Sequence, residues 1–314
     1  MTEKVIIIGS GPAGLTAALY TARAQLEPLV FIGDVPGGQV TTSSEIENYP
    51  GFPEGLTGPE LGELFQRQTE RFGARLKYDT VTGVDLSVHP FKVTAYGGEY
   101  EARVLIVATG SSPRKLGVSG EADFSGRGVS YCATCDGFFY KGKEIVMVGG
   151  GDAAVEEAMF LTRFATKVYQ VHRRDRLRAG RYLQERAFNN EKIEFIWDTV
   201  VDEIVGDQAV TSVRLRNVKT GEERLLTVQG IFIAIGHTPN TAWLGGQVAL
   251  DERGYIATDE RGRTNVPGVY AAGDVQDWRY RQVATAVGDG CRAAMEVERY
   301  IAELEDRAYP GEMP

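Results

Sequence analysis

The chain has 314 residues, which corresponds to about two domains at roughly 150 residues per domain. Hydrophobic residues make up 43% of it, which excludes a disordered chain, and 34 Lys and Arg against 43 Asp and Glu give a formal net charge of −9. We therefore expect neither nucleic acid nor an anionic membrane as a partner. Three cysteines and no apolar run near the ~18 residues of a membrane span predict a cytoplasmic protein rather than a secreted or membrane one.

The first predicted element is a buried strand, Val5–Ile8, which runs into the pattern Gly9-x-Gly11-x-x-Gly14 and an Ala-rich helix. Strand, glycine turn and helix together predict the opening of a βαβ unit that binds a dinucleotide, with the pyrophosphate at the helix N-terminus. The acidic ribose ligand is expected about 20 residues further on. Asp34 has that spacing but lies beyond the strand end, so a ribose ligand and a solvated turn residue both remain open.

The third cysteine, Cys291, is expected to be a small buried residue, but the other two form the sequence Cys132-Ala-Thr-Cys135, followed by Asp136. A structural zinc site would need two more ligands, and the chain has no second pair at suitable spacing, so no metal is expected. Two thiols three positions apart can close a small disulfide ring, which indicates a redox dithiol. Asp136 is then either a proton carrier or a turn residue.

The strand–glycine–helix plan recurs 140 residues after the first motif, as Gly149-x-Gly151-x-x-Ala154. About 20 residues downstream, where a site for NAD would have an acid, the chain reads His172-Arg173-Arg174, and Arg178 follows. Paired guanidinium groups suit a 2′-phosphate, so this site is predicted to take NADPH rather than NADH. A solvated basic patch is the alternative.

A dithiol, a site for NADP and a second dinucleotide site together form an electron path. Nicotinamide gives two electrons as hydride, a disulfide accepts two electrons, and a flavin mediates between them, so the first site is predicted to hold FAD. The dithiol precedes the second glycine motif and therefore belongs to the NADPH domain. If nicotinamide and dithiol each need the same flavin face, that domain must rotate about its linkers between the two half-reactions.

The predicted fold class is α/β. We expect two Rossmann-like dinucleotide-binding domains of three-layer ββα architecture, the second inserted into the first. Residues 82–103 and 212–229 alternate in the manner of antiparallel strands, and a helical pattern follows Val283 through Leu304. The predicted domains are 1–113 and 245–314 for FAD, and 114–244 for NADPH and the cysteine pair.

The sequence resembles the low-molecular-weight bacterial thioredoxin reductases over nearly its whole length. The resemblance is carried by both glycine motifs, the basic cluster and the strings Gly37-Gly38-Gln39, Glu47-Asn48, Cys132-Ala-Thr-Cys-Asp-Gly-Phe-Phe139, Gly273-Asp274 and Tyr280-Arg281-Gln282. It implies that Cys135 faces the flavin, that Cys132 attacks the thioredoxin disulfide and that Asp136 is the acid–base residue. It also implies thioredoxin as the protein substrate and a homodimer.

The resemblance assigns the remaining site residues by position. Those implied for FAD are Gly9, Gly11, Pro12, Ala13, Gly14, Gly38, Gln39, Asn48, Thr109, Gly110, Gly273, Asp274, Arg281, Gln282 and Val283. Those implied for NADPH are Gly149, Gly151, Asp152, Ala153, Ala154, His172, Arg173, Arg174, Arg178, Ile235 and Gly236. Those implied for thioredoxin docking are Arg127, Phe138 and Phe139, for which ordinary loop packing is the alternative.

Two departures from the family pattern concern FAD. Val283 stands where the family commonly has Ala, and Ile32 stands where many flavoproteins carry the Glu that binds ribose. Two other functions stay open. One is a related FAD- and NADPH-dependent dithiol–disulfide oxidoreductase with another disulfide partner, and the other is a nucleotide-sensing module without turnover.

Overall fold

The computed structural model describes residues 2–43 and 45–306. The α-helices are α1 (Pro12–Arg23), α2 (Gly58–Arg71), α3 (Ala133–Asp136), α4 (Asp152–Leu161), α5 (Arg181–Phe188) and α6 (Val283–Leu304). The first seven strands are β1 (Thr2–Ile8), β2 (Leu29–Phe31), β3 (Arg75–Lys77), β4 (Val81–Asp85), β5 (Phe91–Ala95), β6 (Gly98–Val107) and β7 (Ser111–Pro113). The others are β8 (Val129–Ser130), β9 (Glu144–Val148), β10 (Lys167–Val171), β11 (Ile193–Ile196), β12 (Thr199–Gly206), β13 (Val210–Asn217), β14 (Glu223–Thr227), β15 (Gly230–Ile233), β16 (His237–Pro239) and β17 (Val269–Ala271).

The chain divides into two compact units. The first comprises the described residues of Met1–Ser112 and Thr238–Pro314, and the second is Pro113–His237. The sequence places the return to the first domain after residue 244. In the structure Leu244 is already buried in the core of the first unit, in one cluster with Val248 and Ile256.

The first unit is built on a sheet in which β3, β2, β1, β6 and β17 run parallel in that order. The first half of β6 also pairs antiparallel with β5, which pairs with β4. Alternate residues of β1 serve two cores. Val5 and Ile7 pack with α1 and α6, while Ile6 and Ile8 pack with β4, β5 and the segment around Leu244. Because alternate side chains point to opposite faces, the sheet lies between a helical layer and an antiparallel layer.

The second unit repeats the plan with a fully parallel sheet, ordered β11-β10-β9-β15-β8. Ile145 and Met147 of β9 face α4 and α5. Val146 and Val148 face the antiparallel sheet β12-β13-β14. Both units therefore have a helical layer, a parallel sheet and an antiparallel layer, which confirms the predicted α/β class.

Two predictions of local structure are confirmed. The alternating segments 82–103 and 212–229 lie largely in antiparallel strands, and α6 ends at Leu304, as its helical pattern predicts. The prediction for Cys291 is wrong, because this residue is partly exposed on α6. Its neighbours Gly290 and Ala293 occupy the buried stripe of that helix instead. Among the described helices, none is long and apolar enough to cross a membrane.

Candidate functional site

The first glycine motif brings α1 directly against the carboxyl edge of its sheet. Gly9 follows β1 with φ = 112°, and a Cβ atom there would overlap the Ala108 carbonyl. A Cβ on Gly14 would overlap the carbonyl oxygen of Gly9. The helix begins at Pro12 behind Gly11, which has no side chain to cap the first-turn N–H groups. This end of α1 therefore favours an anion such as a pyrophosphate.

A second glycine turn lies against the first motif. A Cβ atom on Gly38, whose φ is 73°, would lie 2.8 Å from the Cα of Gly11. The buried Ser10 hydroxyl donates to the Ile32 carbonyl at 2.8 Å and accepts the Gly37 N–H at 3.1 Å. Ser10 thus joins the motif to this turn, and Gln39 continues from it. Nothing in the sequence distinguishes Ser10, because a serine inside a glycine motif carries no signal of its own.

The acidic residue near the end of β2 is engaged by a neighbour in the same unit. Asp34 is exposed, and its Oδ1 accepts the Thr80 hydroxyl at 2.6 Å. Ile32, one residue beyond β2, is buried.

The segment after β17 reaches the same edge. A Cβ on Gly273 would lie 2.8 Å from the Cβ of Ala13. The Asp289 carboxylate accepts the Gly273 N–H at 3.3 Å and the Gln276 side-chain amide at 2.8 Å. Asp274 is partly buried, and its pKa rises to about 7 because burial disfavours the charged form, with a further rise from nearby acids. Such a carboxyl suits the hydroxyl groups of a sugar or ribityl chain better than a phosphate.

Two more pairs of residues predicted to bind FAD lie in the first unit, Thr109 with Gly110 and Asn48 with Gln282. Thr109 and Gly110 are held by Asn240, which donates its side-chain amide to the Thr109 carbonyl at 2.8 Å and its N–H to the Gly110 carbonyl at 3.0 Å. The Asn48 side-chain amide donates to Gln282 Oε1 at 3.3 Å. Val283, next in sequence, packs on the small core formed by Val40, Ile46 and Leu61. Residues that are far apart along the chain therefore gather around the first glycine motif, and they fit FAD.

The second glycine motif has the same close packing in the second unit. A Cβ on Gly149 would lie 2.5 Å from the Ala234 carbonyl oxygen and 2.6 Å from the Cβ of Ala154. Ala234 leads directly from β15 to the predicted Ile235 and Gly236. Helix α4 therefore starts against the ends of β9 and β15.

The basic segment after β10 folds back onto this motif. The Arg178 N–H donates to the Gly150 carbonyl at 2.7 Å, and the Gly180 N–H donates to Asp152 Oδ1 at 2.7 Å. The Arg178 Nη2 atom lies 3.9 Å from where a Cβ of Gly151 would be. Asp152, predicted to contact the cofactor, uses one carboxylate oxygen to anchor the segment.

His172 lies beneath the glycine loop. A Cβ on Gly150 would lie 2.5 Å from its Nδ1 atom, and its buried Nε2 atom has no hydrogen-bond partner among the described residues, 2–43 and 45–306. Its pKa is lowered by burial and then by the charges of Arg178, Arg174 and Arg173, which favours the neutral imidazole. An orphaned buried nitrogen beside three guanidinium groups fits a phosphate ligand, as a 2′-phosphate of NADPH would require.

The cysteine pair forms a disulfide at the same edge of this sheet. Cys132 and Cys135 are joined directly after β8, which runs parallel to β15, so their strand ends are adjacent. The Cys132 N–H donates to Ser130 Oγ at 3.1 Å, and the Cys135 N–H donates to Cys132 Sγ at 3.2 Å. This N–H would stabilise a thiolate on Cys132.

Asp136 ends the short helix α3 that carries the disulfide. Burial raises the pKa of its carboxyl, and a hydrogen bond from Ser130 partly offsets the rise. Ser130 therefore positions both the acid and the backbone of Cys132. The sequence does not indicate Ser130, because its role depends on the end of β8 meeting α3.

The predicted docking residues are accessible to different degrees. Phe138 is 57% exposed and packs edge-to-face on Phe139 and Phe164 at centroid distances of 6.2 Å. Arg127 is exposed in the turn before β8, where its guanidinium donates to the Asp123 carbonyl. Phe138 thus presents an apolar face to solvent three residues beyond Cys135. Among the described residues there is no group of acidic, His and Cys side chains that could hold a metal.

Comparison with known proteins identifies the family. The profile of the pyridine nucleotide-disulphide oxidoreductases matches residues 3–290. The chain belongs to this family. The oxidoreductase is 55% identical over 313 residues to the thioredoxin reductase of Streptomyces coelicolor, covering 98% of this chain and 97% of the relative. It is 54% identical over 306 residues to that of Rickettsia conorii, covering 96% and 99%.

Solved structures support this family assignment. The crystal structure of thioredoxin reductase from Streptococcus pyogenes matches with a TM-score of 0.91 at 45% identity, covering 95% of this chain and 98% of that one. The resemblance to thioredoxin reductases is therefore confirmed, and the chain is an NADPH-dependent flavoprotein oxidoreductase that uses FAD. The interpretation as a nucleotide-sensing module without turnover is not favoured, and the Cys132–Cys135 pair fits the redox disulfide.

Proposed function

We propose that this oxidoreductase uses NADPH to reduce the disulfide of thioredoxin, through its own Cys132–Cys135 disulfide. The observation that carries the proposal is the place of that disulfide. It lies at the carboxyl edge of the sheet that bears the second dinucleotide motif, beside an acid with a raised pKa.

The FAD would be held by the residues gathered at the edge of the first unit. When bound, FAD carries two electrons from NADPH to the disulfide. The glycine motif and the α1 N-terminus suit its pyrophosphate, and Asp274 suits its hydroxyl groups. Hydrogen bonds hold the surrounding backbone in place, between Ser10 and Gly37, between Asn240 and Thr109 and between Asp289 and Gly273.

The NADPH would be held by the second unit. His172, Arg173, Arg174 and Arg178 would bind its 2′-phosphate, since one buried ring nitrogen and three guanidinium groups match a doubly charged anion. The α4 N-terminus behind Gly151 would face the pyrophosphate.

The chain's own groups then perform two thiol–disulfide exchanges. In the reduced dithiol, the Cys132 thiolate attacks one sulfur of thioredoxin, which forms a mixed disulfide and releases one thioredoxin thiolate. The Cys135 thiolate then attacks Cys132 Sγ, which restores the internal disulfide and releases the second. Asp136 gives its proton to the first leaving thiolate, takes the proton of the Cys135 thiol as that sulfur attacks, and passes this second proton to the second leaving thiolate. Two electrons and two protons thereby pass to thioredoxin.

We also propose a docking surface for thioredoxin, an oligomeric state and a cellular location. Phe138 would meet an apolar patch of thioredoxin, with Arg127 and Phe139 as further contacts. A homodimer, a cytoplasmic location and the absence of a nucleic-acid partner are part of the same proposal. A dithiol that must be re-reduced supports the cytoplasmic location. The acidic net charge supports the absence of a nucleic-acid partner.

The second unit would rotate between the two half-reactions about the two points where the chain passes from one unit to the other, at residues 112–113 and 237–238. The support is that nicotinamide and disulfide belong to one unit while the flavin belongs to the other. A dye pair with one dye on each unit should change its energy-transfer efficiency when NADPH is added. A constant efficiency during turnover would contradict the rotation.

The deciding experiment is NADPH oxidation by the FAD-loaded enzyme with thioredoxin from the same organism. Turnover should require thioredoxin, fall to background in Cys132→Ser, and be far slower with NADH. Cys291→Ser is the matched control, because this cysteine lies on α6, outside the disulfide. Flavin bleaching by NADPH without thioredoxin turnover would assign the enzyme to another disulfide partner.

A further inference from the structure

The basic segment after β10 contains an acid that should oppose its function. Asp175 is exposed and follows Arg173 and Arg174 directly, with Arg176 next. A free carboxylate here would attract the guanidinium groups that a 2′-phosphate needs, and it would repel the phosphate itself. Sequence alone therefore leaves the charge balance of this site unresolved.

In the structure, the Asp175 carboxylate forms an ion pair with a lysine. Lys219, in the turn between β13 and β14, places its Nζ atom 3.3 Å from Asp175 Oδ2 and 2.9 Å from Asp198 Oδ2. Lys219 also lowers the pKa of the Asp175 carboxyl, by hydrogen bond and by charge. Among the described residues, the ion-pair partner of Asp175 is this lysine and not an arginine.

Lys219 is itself held in a defined place. Its backbone N–H donates to Asn217 Oδ1 at 2.9 Å, which shapes the turn. The Asp198 N–H donates to the Arg174 carbonyl at 3.2 Å, and the Val218 N–H donates to the Asp198 carbonyl at 2.6 Å. The hairpin that carries Lys219 is thus tied by Asp198 to the backbone of the arginine segment.

We infer that Lys219 is a positioning residue for NADPH, which holds the Asp175 carboxylate away from the arginines and so sets the preference for a 2′-phosphate. This inference rests on the proposed NADPH site. The Lys219 side chain is 60% exposed and the Asp175 side chain 67%, and exposed pairs contribute little to stability. Loss of the lysine should therefore change ligand binding and leave the fold intact.

The test measures binding of 2′,5′-ADP and of 5′-AMP to the FAD-loaded enzyme by titration calorimetry, because these ligands differ by the 2′-phosphate alone. In Lys219→Met, the Kd for 2′,5′-ADP should rise about fivefold while the Kd for AMP stays constant. Lys219→Arg should bind nearly as the wild type does. Adding Asp175→Asn to Lys219→Met should restore tight binding, since the carboxylate that the lysine controls is then gone.

Lys167→Met is the matched control. Lys167 starts β10, at the opposite end of the strand from the arginines, and its Nζ atom lies 3.2 Å from Glu194 Oε2 in a pair that is also partly exposed, at 30% and 49%. This variant should keep the wild-type Kd for both ligands. A melting temperature measured for each variant separates binding from folding.

Three outcomes would overturn the inference. They are an unchanged Kd in Lys219→Met, an equal loss of affinity for both ligands, and no recovery with Asp175→Asn. If the wild type itself binds both ligands equally, the proposed 2′-phosphate site at His172 and the arginines fails together with the inference. Thioredoxin takes no part in these titrations, so a failure of the thioredoxin proposal alone would leave their result intact.

Discussion

The Cys135 backbone N–H donates a 3.2 Å hydrogen bond to the Sγ atom of Cys132. Once the disulfide is reduced, this bond and the other N–H groups at the start of α3 favour a thiolate on Cys132 rather than on Cys135. The two sulfurs are thus chemically unequal although they are three residues apart. Cys132 is the better placed to attack an external disulfide.

Single cysteine variants should show this inequality. In Cys135→Ser, the free Cys132 should react with iodoacetamide about tenfold faster at pH 7 than Cys135 does in Cys132→Ser. Mass spectrometry of the alkylated peptides over time measures both rates. Cys291 serves as the internal control in each protein, and equal rates for Cys132 and Cys135 would contradict the assignment.

Replacing the acid beside the disulfide should slow thiol exchange without removing FAD. Asp136→Asn is isosteric and keeps the contact with Ser130, so thioredoxin turnover should fall about 100-fold while flavin content stays constant. Because the pKa of Asp136 is raised, its proton-donating form persists to higher pH than that of an ordinary Asp. The wild-type rate of dithiol oxidation should therefore decline as pH rises through this pKa.

The Asp136→Asn variant has no such group and should lack that decline. Stopped-flow oxidation of the reduced enzyme by thioredoxin, between about pH 5 and pH 9, measures both profiles. A variant with the wild-type pH profile would show that Asp136 is not the proton donor.

A methyl group at the third glycine of the first motif should abolish FAD binding. In Gly14→Ala the new Cβ would overlap the Gly9 carbonyl oxygen and come within 3.3 Å of the Ala108 Cβ, which forces α1 off its sheet. We expect a loss of about 2 to 4 kcal/mol in the free energy of unfolding and a colourless protein. Flavin absorbance per protein and urea titration measure the two effects.

Gly83→Ala is the matched control for this prediction. Gly83 lies in β4 of the same unit, and a Cβ atom at this position would have no atom within 4 Å other than those of its chain neighbours. This variant should remain yellow and nearly as stable as the wild type. Yellow, stable Gly14→Ala protein would contradict the close packing of α1.

The FAD-free protein should become less stable as pH rises through the titration range of the Asp274 carboxyl. Burial raises the pKa of Asp274 to about 7, whereas an unfolded Asp titrates near ~4. Between these values the folded state binds the extra proton, so this group's contribution lowers the free energy of unfolding as pH rises. The loss is complete above about pH 7 and absent below about pH 4.

Asp274→Asn should remove this pH-dependent loss. At pH 8 the FAD-free variant should be more stable than the FAD-free wild type by about 1 to 3 kcal/mol, and at pH 4 nearly equal to it. Thermal melts across this range give the comparison. FAD affinity of the variant should fall, since the carboxylate acceptor is lost, and equal stability of both proteins at pH 8 would argue against a buried charge at Asp274.

The sequence by itself determined the plan of this protein, because its strongest signals are local. A glycine at the end of an apolar run, as at Gly9 and Gly149, predicts strand, turn and helix from adjacent residues alone. The Cys132–Cys135 spacing and the run His172-Arg173-Arg174 likewise indicate their chemistry within a few positions. Two dinucleotide sites, a redox dithiol and a preference for phosphate were therefore predictable without coordinates.

Only the tertiary structure decided which residues support those groups. Ser10 and Asn240 are ordinary polar residues whose partners lie 27 and 131 positions away, at Gly37 and Thr109. Lys219 lies 44 positions from Asp175 and reaches it because a hairpin turns back to the end of β10. Such contacts arise where strand ends converge, so neither residue type nor local spacing could have indicated them.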